Sequence, residues 1–259
     1  MPPGAPRASV LADHRRGRLT LPRLESSAPS ASPGLHALGL RTGPRDGLLY
    51  VPAAAATGRT PLVVLLHGAG GTARAGIELL LPHAEANGLL LFAPDSAGRT
   101  WDMILGGYGA DVAFLDSALS AALGRAPVDT GRMAIGGFSD GASYALSLGL
   151  ANGDLFGAVL AFSPGFMAPL ESRGRPRIYV SHGSGDRVLP VDRCSRRLVP
   201  ALRKAGYDVH YAEFDGPHTP CPPTLWPRRS TGCPALPRRD DFRRHRCRAR
   251  PPRASELRT

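Results

Sequence analysis

The residue best suited to chemistry in this sequence is a serine flanked by glycines. Ser139 lies at the centre of the run GFSDG, within the longer segment IGGFSDGAS. A serine hydroxyl is a weak nucleophile at neutral pH, so it needs a neighbouring base and an exposed position. A predicted strand before the run and a predicted helix after it indicate a sharp turn, which exposes the serine and requires small flanking residues. We therefore predict Ser139 as a nucleophile, with an ordinary strand-to-helix turn as the alternative.

Two later loops offer an acid and a base. Asp186 follows a predicted strand in YVSHGSGDRVLPVD, and His218 follows another in FDGPHT. Hydrolases that carry serine on a strand-to-helix turn have the chain order serine, acid, histidine. We predict that His218 acts as the general base and that Asp186 orients it. Asp192 is a competing acid that is expected to cap the next helix, and His182 is expected to be a structural turn residue.

Backbone N–H groups that could stabilise an oxyanion are predicted at two places. The run LLHGAGG follows the most apolar predicted strand, and glycine-rich turns let N–H groups face a ligand. We predict the N–H groups of Ala69 and Asp140 as donors, with Gly68 and Gly70 lining the substrate cleft. His67 is expected to brace the loop, and a role as base is the less favoured alternative. A phosphate-binding loop is disfavoured because the Gly-Lys-Ser/Thr ending is absent.

The segment APDSAGRTWD also follows a predicted strand. In open α/β folds, ligands bind at the carboxyl ends of the strands. We predict that Trp101 and Asp102 line the substrate cleft, with a bracing role in the loop as an equal alternative.

Short apolar runs alternate with helical patterns over most of the chain. Predicted strands cover residues 47–51, 62–66, 89–93, 133–136, 159–162, 178–181 and 209–214, and predicted helices cover residues 74–87, 111–123, 141–150 and 191–205. This alternation predicts an α/β domain, with a mostly parallel central sheet and helices on both faces. Few residues separate the strands that end near residue 163 and start near residue 178, so we expect no large lid.

The composition changes at both ends of the chain. Residues 1–34 are rich in Pro, Ser, Ala and Arg and predict a flexible arm, which leaves residues 35–219 for the hydrolase domain. Most of the formal net charge of +11 belongs to residues 219–259, which contain 11 arginines and three acidic residues. We predict a disordered Arg/Pro-rich tail over residues 220–259, and a reading-frame change is one hypothesis for its origin.

Other classes of partner are disfavoured by the sequence. The four cysteines show no CxxC pair or Cys/His spacing, so no metal is expected. No apolar run reaches the roughly 20 residues of a membrane span, and no secretory signal is visible. A cytoplasmic protein is therefore predicted. An anion-binding role of the tail is a minor alternative, and nucleic acid is not an expected partner because interleaved aromatic residues are missing.

Taken together, HGAGG, APDSAGRTWD, GFSDG, HGSGD and FDGPH resemble the phospholipase/carboxylesterase family of α/β-hydrolases, and most of all its bacterial branch of polyhydroxybutyrate-depolymerase-like esterases. The resemblance covers residues from about 35 to 219. It implies the α/β-hydrolase fold, a triad of Ser139, Asp186 and His218, and cofactor-free hydrolysis of small-molecule carboxylic esters. After His218 the chain departs from the family, whose members end with a helix packed on the sheet. A catalytically impaired hydrolase-fold protein is therefore the main alternative.

Overall fold

Strands and helices alternate along residues 8–21, 31–41 and 45–220, which are the residues that the computed structural model describes. The strands are β1 (Gly34–Ala37), β2 (Gly47–Val51), β3 (Thr60–Leu66), β4 (Leu90–Pro94), β5 (Val128–Phe138), β6 (Ala158–Phe162), β7 (Arg177–Gly183) and β8 (Val209–Phe214). The helices are α1 (Ala8–His14), α2 (Ala73–Glu78), α3 (Leu81–Ala84), α4 (Asp102–Leu105), α5 (Ala110–Arg125), α6 (Asp140–Ala151) and α7 (Ser195–Lys204), and a 3₁₀ turn spans Ala53–Ala56. α1, β1 and α4 have no counterpart among the predicted elements.

The strands pair into one sheet in the order β1-β2-β4-β3-β5-β6-β7-β8. Neighbouring strands from β4 to β8 pair in parallel, whereas β2 pairs antiparallel with both β1 and β4. β3, β4 and β6 are buried along their whole length, which explains why their sequences lack the polar alternation of a half-exposed strand. The carboxyl ends of β5, β7 and β8 lie at one edge of this sheet, and the residues predicted for chemistry follow them.

Helices cover both faces of the sheet. Apolar side chains of α2 and α3, such as Ile77, pack on one face, and those of α5, α6 and α7, such as Leu115 and Leu198, pack on the other. The prediction of an α/β fold with a mostly parallel sheet is confirmed. The connection from β6 to β7, residues 163–176, contains no helix in this described part of the chain, in agreement with the expectation of no large lid.

The helix predicted over residues 74–87 is interrupted. α2 ends at Glu78, and α3 begins at Leu81 with Pro82 in its first turn. Proline has no N–H group to donate to the preceding turn, so it is accepted at a helix start but breaks a helix interior. The apolar periodicity across the break reflects two short helices that cover the same face of the sheet.

The last helix starts later than the pattern over residues 191–205 predicted. α7 begins at Ser195 and its N-cap residue is Cys194, so the expectation that Asp192 caps this helix is wrong. The exposed carboxylate of Asp192 pairs instead with Arg196, at 2.6 Å between Oδ1 and Nη1. Asp192 therefore stabilises the surface of the first turn and lies outside the site described below.

Residues 8–21, which were predicted to belong to a flexible arm, pack on the domain. α1 ends at His14, whose Nε2 lies 2.9 Å from Oδ2 of Asp116 in α5. Arg18 donates two hydrogen bonds of 2.9 Å to the carboxylate of Asp154, just after α6. The two pairs join residues 102 and 136 positions apart in the chain. Because such polar anchors leave no local periodicity, the composition of the segment suggested an arm where the fold has a packed segment.

The remaining boundaries stay predictions. Residues 1–7 and 22–30, which belong to the predicted arm, lie outside the described residues, and so do residues 221–259 of the predicted tail. The domain boundaries at residues 35 and 219 are likewise untested, although the first strand begins at Gly34.

Candidate active site

Ser139 occupies a sharp turn between β5 and α6. Its backbone angles, φ 56° and ψ −120°, are sterically unfavourable for a residue with a side chain. Gly137 and Gly141 flank it where the chain approaches the end of β3, and a Cβ on Gly141 would lie less than 3.0 Å from the carbonyl oxygen of Leu66. The two glycines are therefore required by backbone packing, and the turn they permit presents the Ser139 hydroxyl at the carboxyl edge of the sheet.

A continuous hydrogen-bond path joins Ser139, His218 and Asp186. Nε2 of His218 lies 2.9 Å from Oγ of Ser139, and Nδ1 lies 2.6 Å from Oδ2 of Asp186. Because an ionised carboxylate only accepts, Nδ1 carries the hydrogen and Nε2 is left to accept from the serine hydroxyl. The ring of Phe138 packs against the imidazole at 4.7 Å between centroids. The three residues predicted as nucleophile, acid and base thus meet from the ends of three strands.

The carboxylate of Asp186 is buried, and both of its oxygens accept hydrogen bonds. Its Oδ1 accepts the backbone N–H groups of Val188 and Leu189, both at 2.8 Å. Burial by itself would raise the pKa of Asp186, but the hydrogen bonds from His218 and from these N–H groups outweigh it and hold the pKa below its ordinary value. Asp186 is therefore ionised at neutral pH and can stabilise a positive charge on His218.

The loop that carries His218 is fixed by contacts on both sides of the histidine. Before it, the carbonyl oxygen of Gly216 accepts the N–H of Gly185 at 2.9 Å. After it, the carbonyl oxygen of Thr219 accepts the hydroxyl of Ser163 at 3.3 Å. Within the described residues, the histidine is therefore positioned by the loops that follow β6 and β7.

The glycine-rich loop after β3 lies beside the serine. A Cβ on Gly68 would be 3.4 Å from Cβ of Ser139, and Gly70 adopts a left-handed φ of 73°. The N–H of Gly70 donates to the carbonyl oxygen of Arg99 at 2.6 Å, which ties this loop to the segment after β4. The predicted position of Gly68 and Gly70 at the edge of a cleft is consistent with this geometry.

The two N–H groups predicted as oxyanion donors make no hydrogen bond within the described part of the chain. Among the described residues, no acceptor takes the N–H of Ala69 or that of Asp140. Asp140 is the first residue of α6, where N–H groups lack partners within the helix and the helix dipole favours negative charge. Its side chain accepts a hydrogen bond of 2.6 Å from the Thr100 hydroxyl, which fixes the start of the helix. Both donors are available to a ligand bound at Ser139.

His67 braces the glycine-rich loop, as expected. It is 1% exposed; its Nδ1 donates to the carbonyl oxygen of Gly68 at 2.8 Å and its Nε2 accepts the N–H of Ser96 at 3.1 Å. Burial lowers the pKa of His67 below its ordinary value, so the imidazole stays neutral in this arrangement. Both ring nitrogens are occupied, which leaves none to act as a base.

The prediction that Trp101 lines the substrate cleft is wrong. The indole is 1% exposed, stacks on Tyr144 at 5.1 Å between ring centroids, and donates from Nε1 to the carbonyl oxygen of His67 at 2.9 Å. Asp102 accepts the Tyr144 hydroxyl at 2.8 Å, so it too braces the loop. A large aromatic ring gains more from burial against α6 than from exposure at a cleft, and the bracing alternative is the one observed.

His182 has a role in the site that the sequence did not indicate. It is completely buried, and its Nε2 lies 3.2 Å from Oδ2 of Asp186, the oxygen that also contacts His218. Its place four residues before Asp186 in the HGSGD motif was the available signal. That spacing alone does not distinguish a contact with the acid from an ordinary turn.

Other kinds of site are not seen in the part of the chain that the structure describes. It contains no group of three or more His, Cys, Asp or Glu side chains arranged to hold a metal ion. None of its helices combines the length and apolar character needed to cross a bilayer.

Comparison with known proteins bears on this site. A sequence model of the phospholipase/carboxylesterase family matches residues 113–225, a range that includes Ser139, Asp186 and His218. The crystal structure of esterase PE8 matches 68% of this chain and 91% of its own, with 26% identity and a TM-score of 0.56. The chain is a serine ester hydrolase. No curated protein sequence matches it significantly.

Two further structures share the fold of this hydrolase at lower identity. A phospholipase/carboxylesterase from Dyadobacter fermentans is 20% identical over 70% of this chain and 92% of its own, with a TM-score of 0.52. The fluorophosphonate-binding serine hydrolase F of Staphylococcus aureus, solved with substrate bound, is 13% identical over 73% of this chain and 93% of its own, with a TM-score of 0.57. Both confirm the α/β-hydrolase fold.

Proposed function

We propose that this hydrolase cleaves small-molecule carboxylic esters by two-step acyl transfer, with Ser139 as nucleophile, His218 as general base and Asp186 as the carboxylate that orients the base. The observation that carries the proposal is the unbroken path from Ser139 to Asp186, with contacts of 2.9 Å and 2.6 Å on the two sides of the His218 imidazole. A hydroxyl within hydrogen-bond reach of an oriented imidazole is the arrangement that activates serine.

In the first step, Oγ of Ser139 attacks the ester carbonyl carbon while Nε2 of His218 takes the hydroxyl proton. Asp186 stays ionised and stabilises the imidazolium, without taking its proton. The N–H groups of Ala69 and Asp140 stabilise the negative charge on the former carbonyl oxygen; one such donor typically contributes about 10²–10³-fold to kcat. The imidazolium then protonates the departing alkoxide, which leaves as the alcohol. The acyl group remains on Oγ of Ser139 as an ester.

In the second step, water replaces the alcohol. His218 takes a proton from the water as its oxygen attacks the acyl carbon, and the same two N–H groups stabilise the second oxyanion. Collapse of this intermediate breaks the bond to Oγ, releases the carboxylic acid and returns the proton to Ser139. Apart from the ester and the water, the residues of this chain supply every group that the two proposed steps need.

The surroundings of Ser139 support a more specific proposal about the substrate. The short connection over residues 163–176 and the exposed loop at Ala69 and Gly70 support an open cleft. We therefore propose short-chain esters as substrates. The motifs HGAGG, APDSAGRTWD, GFSDG, HGSGD and FDGPH support a further proposal, that the protein belongs with the polyhydroxybutyrate-depolymerase-like esterases. The cytoplasmic location remains a prediction.

Acyl-chain preference tests the open cleft. Across p-nitrophenyl acetate, butyrate, octanoate and decanoate, we expect kcat/KM to be highest for acetate or butyrate and to decline for the longer chains, because the short connection between β6 and β7 provides little wall to bury them. Rates should be measured below the critical micelle concentration of each ester. A kcat/KM that rises steadily to decanoate contradicts the short-chain assignment.

Covalent labelling tests the proposed function itself. We expect a fluorophosphonate probe to label the folded protein with one adduct per chain, located by mass spectrometry on the peptide that contains Ser139, because the probe reacts only with an activated serine. Heat-unfolded protein is the control and should not react. Folded protein that neither reacts with the probe nor hydrolyses esters supports the catalytically impaired alternative.

A further inference from the structure

His182 is a buried titratable side chain that the two-step mechanism does not use. It lies near the end of β7, and its side chain has no exposed surface. Its Nδ1 is 2.7 Å from Oγ of Ser195 at the start of α7, and its Nε2 is 2.8 Å from the carbonyl oxygen of Leu189. Nε2 is also 3.2 Å from Oδ2 of Asp186. The imidazole thus joins the first residue of α7 to the proposed catalytic acid.

The partners of His182 determine which nitrogen carries the hydrogen. The carbonyl oxygen of Leu189 and the carboxylate of Asp186 are both acceptors, so Nε2 must be the donor. Nδ1 then accepts the hydroxyl hydrogen of Ser195, which can rotate to donate. Burial lowers the pKa of His182 below its ordinary value, against the opposing effects of Leu189 and Asp186. The neutral tautomer with hydrogen on Nε2 is therefore the form that satisfies every contact.

We propose that His182 is a positioning residue for Asp186, in a role that rests on the proposed function of the site. The N–H at Nε2 donates to the carbonyl oxygen of Leu189, and Nε2 lies 3.2 Å from Oδ2 of Asp186, the same oxygen that accepts from His218 at 2.6 Å. Two imidazoles therefore hold this oxygen from different sides, while backbone N–H groups hold Oδ1. We infer that these contacts hold the carboxylate in the rotamer that faces His218. A chain of polar contacts runs from Ser195 through His182, Asp186 and His218 to Ser139.

Removal of the Nε2–H group of His182 should change the pH dependence of the reaction as well as the packing. Without the Nε2–H group of His182 beside it, Oδ2 of Asp186 presents more negative charge to His218 and favours the imidazolium form of the base. The charged or titratable groups that act on His182 are Asp186 and His218. The Cys194 thiol, next to Ser195 in the chain, has a pKa raised by burial and by Asp186. In a plot of kcat/KM against pH, the rise on the acidic side (the acid limb) should therefore move to higher pH when the Nε2–H group of His182 is lost.

A matched pair of variants separates this role from packing. His182→Leu fills the space with an apolar side chain that cannot donate, whereas His182→Gln retains an amide N–H able to reach the same acceptors. For His182→Leu we expect kcat to fall about 10–100-fold, the equivalent of one hydrogen bond to a charged group, with KM nearly unchanged and the acid limb shifted upward. For His182→Gln we expect most of kcat and the original acid limb to be recovered.

Two outcomes overturn the proposal: a folded His182→Leu protein with the wild-type kcat and pH profile, or equal losses in both variants. ¹⁵N-histidine NMR of the unmutated protein gives a second test that does not depend on the variants folding. His182 should remain neutral with hydrogen on Nε2 across the acid limb, and a hydrogen on Nδ1 would overturn the assignment. Failure of the proposed function is recognised separately, because the wild-type protein would then neither bind the fluorophosphonate probe nor hydrolyse esters.

Discussion

Replacing Ser139 by alanine should lower kcat for p-nitrophenyl butyrate by about 10⁵–10⁶-fold, as loss of a nucleophile that works as a unit with its base does in other serine hydrolases. His218 would have no hydroxyl to deprotonate, and no acyl ester could form on the chain. The N–H groups of Ala69 and Asp140 would remain, so a small acceleration over the uncatalysed reaction of about 10³–10⁴-fold is expected to survive. Steady-state kinetics at high protein concentration, together with the fluorophosphonate probe, measures both effects.

The matched control is Ser117→Ala, which removes an exposed hydroxyl in α5 that only donates to the carbonyl oxygen of Ala113. This variant should keep the wild-type kcat and react fully with the probe. If Ser139→Ala retained more than a few per cent of the wild-type kcat after purification from an esterase-free host, Ser139 would not be the nucleophile.

Replacing Gly141 by alanine should lower the free energy of unfolding by about 3 kcal/mol or more, at or above the upper end of the roughly 1–3 kcal/mol that is typical of overpacked sites. The added Cβ would lie less than 3.0 Å from the carbonyl oxygens of Leu66 and His67, and backbone cannot move aside as a flexible side chain can. Because those carbonyls belong to the end of β3, the same collision displaces the loop that carries Ala69. Urea denaturation and the rate of reaction with the fluorophosphonate probe should therefore both be affected.

Gly124→Ala provides the control for this substitution. Gly124 lies in α5, and a Cβ added there meets nothing within 4 Å. Alanine in place of a helical glycine is expected to stabilise the protein by about 0.5–1 kcal/mol. An unchanged free energy of unfolding for Gly141→Ala would mean that the turn can relax, and the argument for an obligatory glycine would fail.

The parts of the site that could be predicted are those encoded in short segments. Ser139, Asp186 and His218 each follow a strand with a readable apolar pattern, and parallel strands bring their carboxyl ends to one edge. Their convergence therefore followed from chain order and sheet topology together. The bracing role of His67 was also expected, because its partners lie in the loops beside the same strand end.

The parts that escaped prediction depend on contacts between distant segments. The packing of α1 relies on His14 meeting Asp116 across 102 residues, and no local pattern records that pairing. Trp101 follows a strand as a ligand-binding residue would, but its burial is decided by the ring of Tyr144 on another element. For His182, the motif gave the position and only the three-dimensional arrangement showed the contact with Asp186.

The late position of β8 and His218 in the chain has a consequence during synthesis of the protein. β8 pairs only with β7 among the described strands, and the chain reaches His218 directly after it. During synthesis the strained serine turn and Asp186 leave the ribosome before His218, which follows the last of the described strands. A chain that has not yet been synthesised past residue 218 lacks the proposed base, so we expect it not to hydrolyse esters.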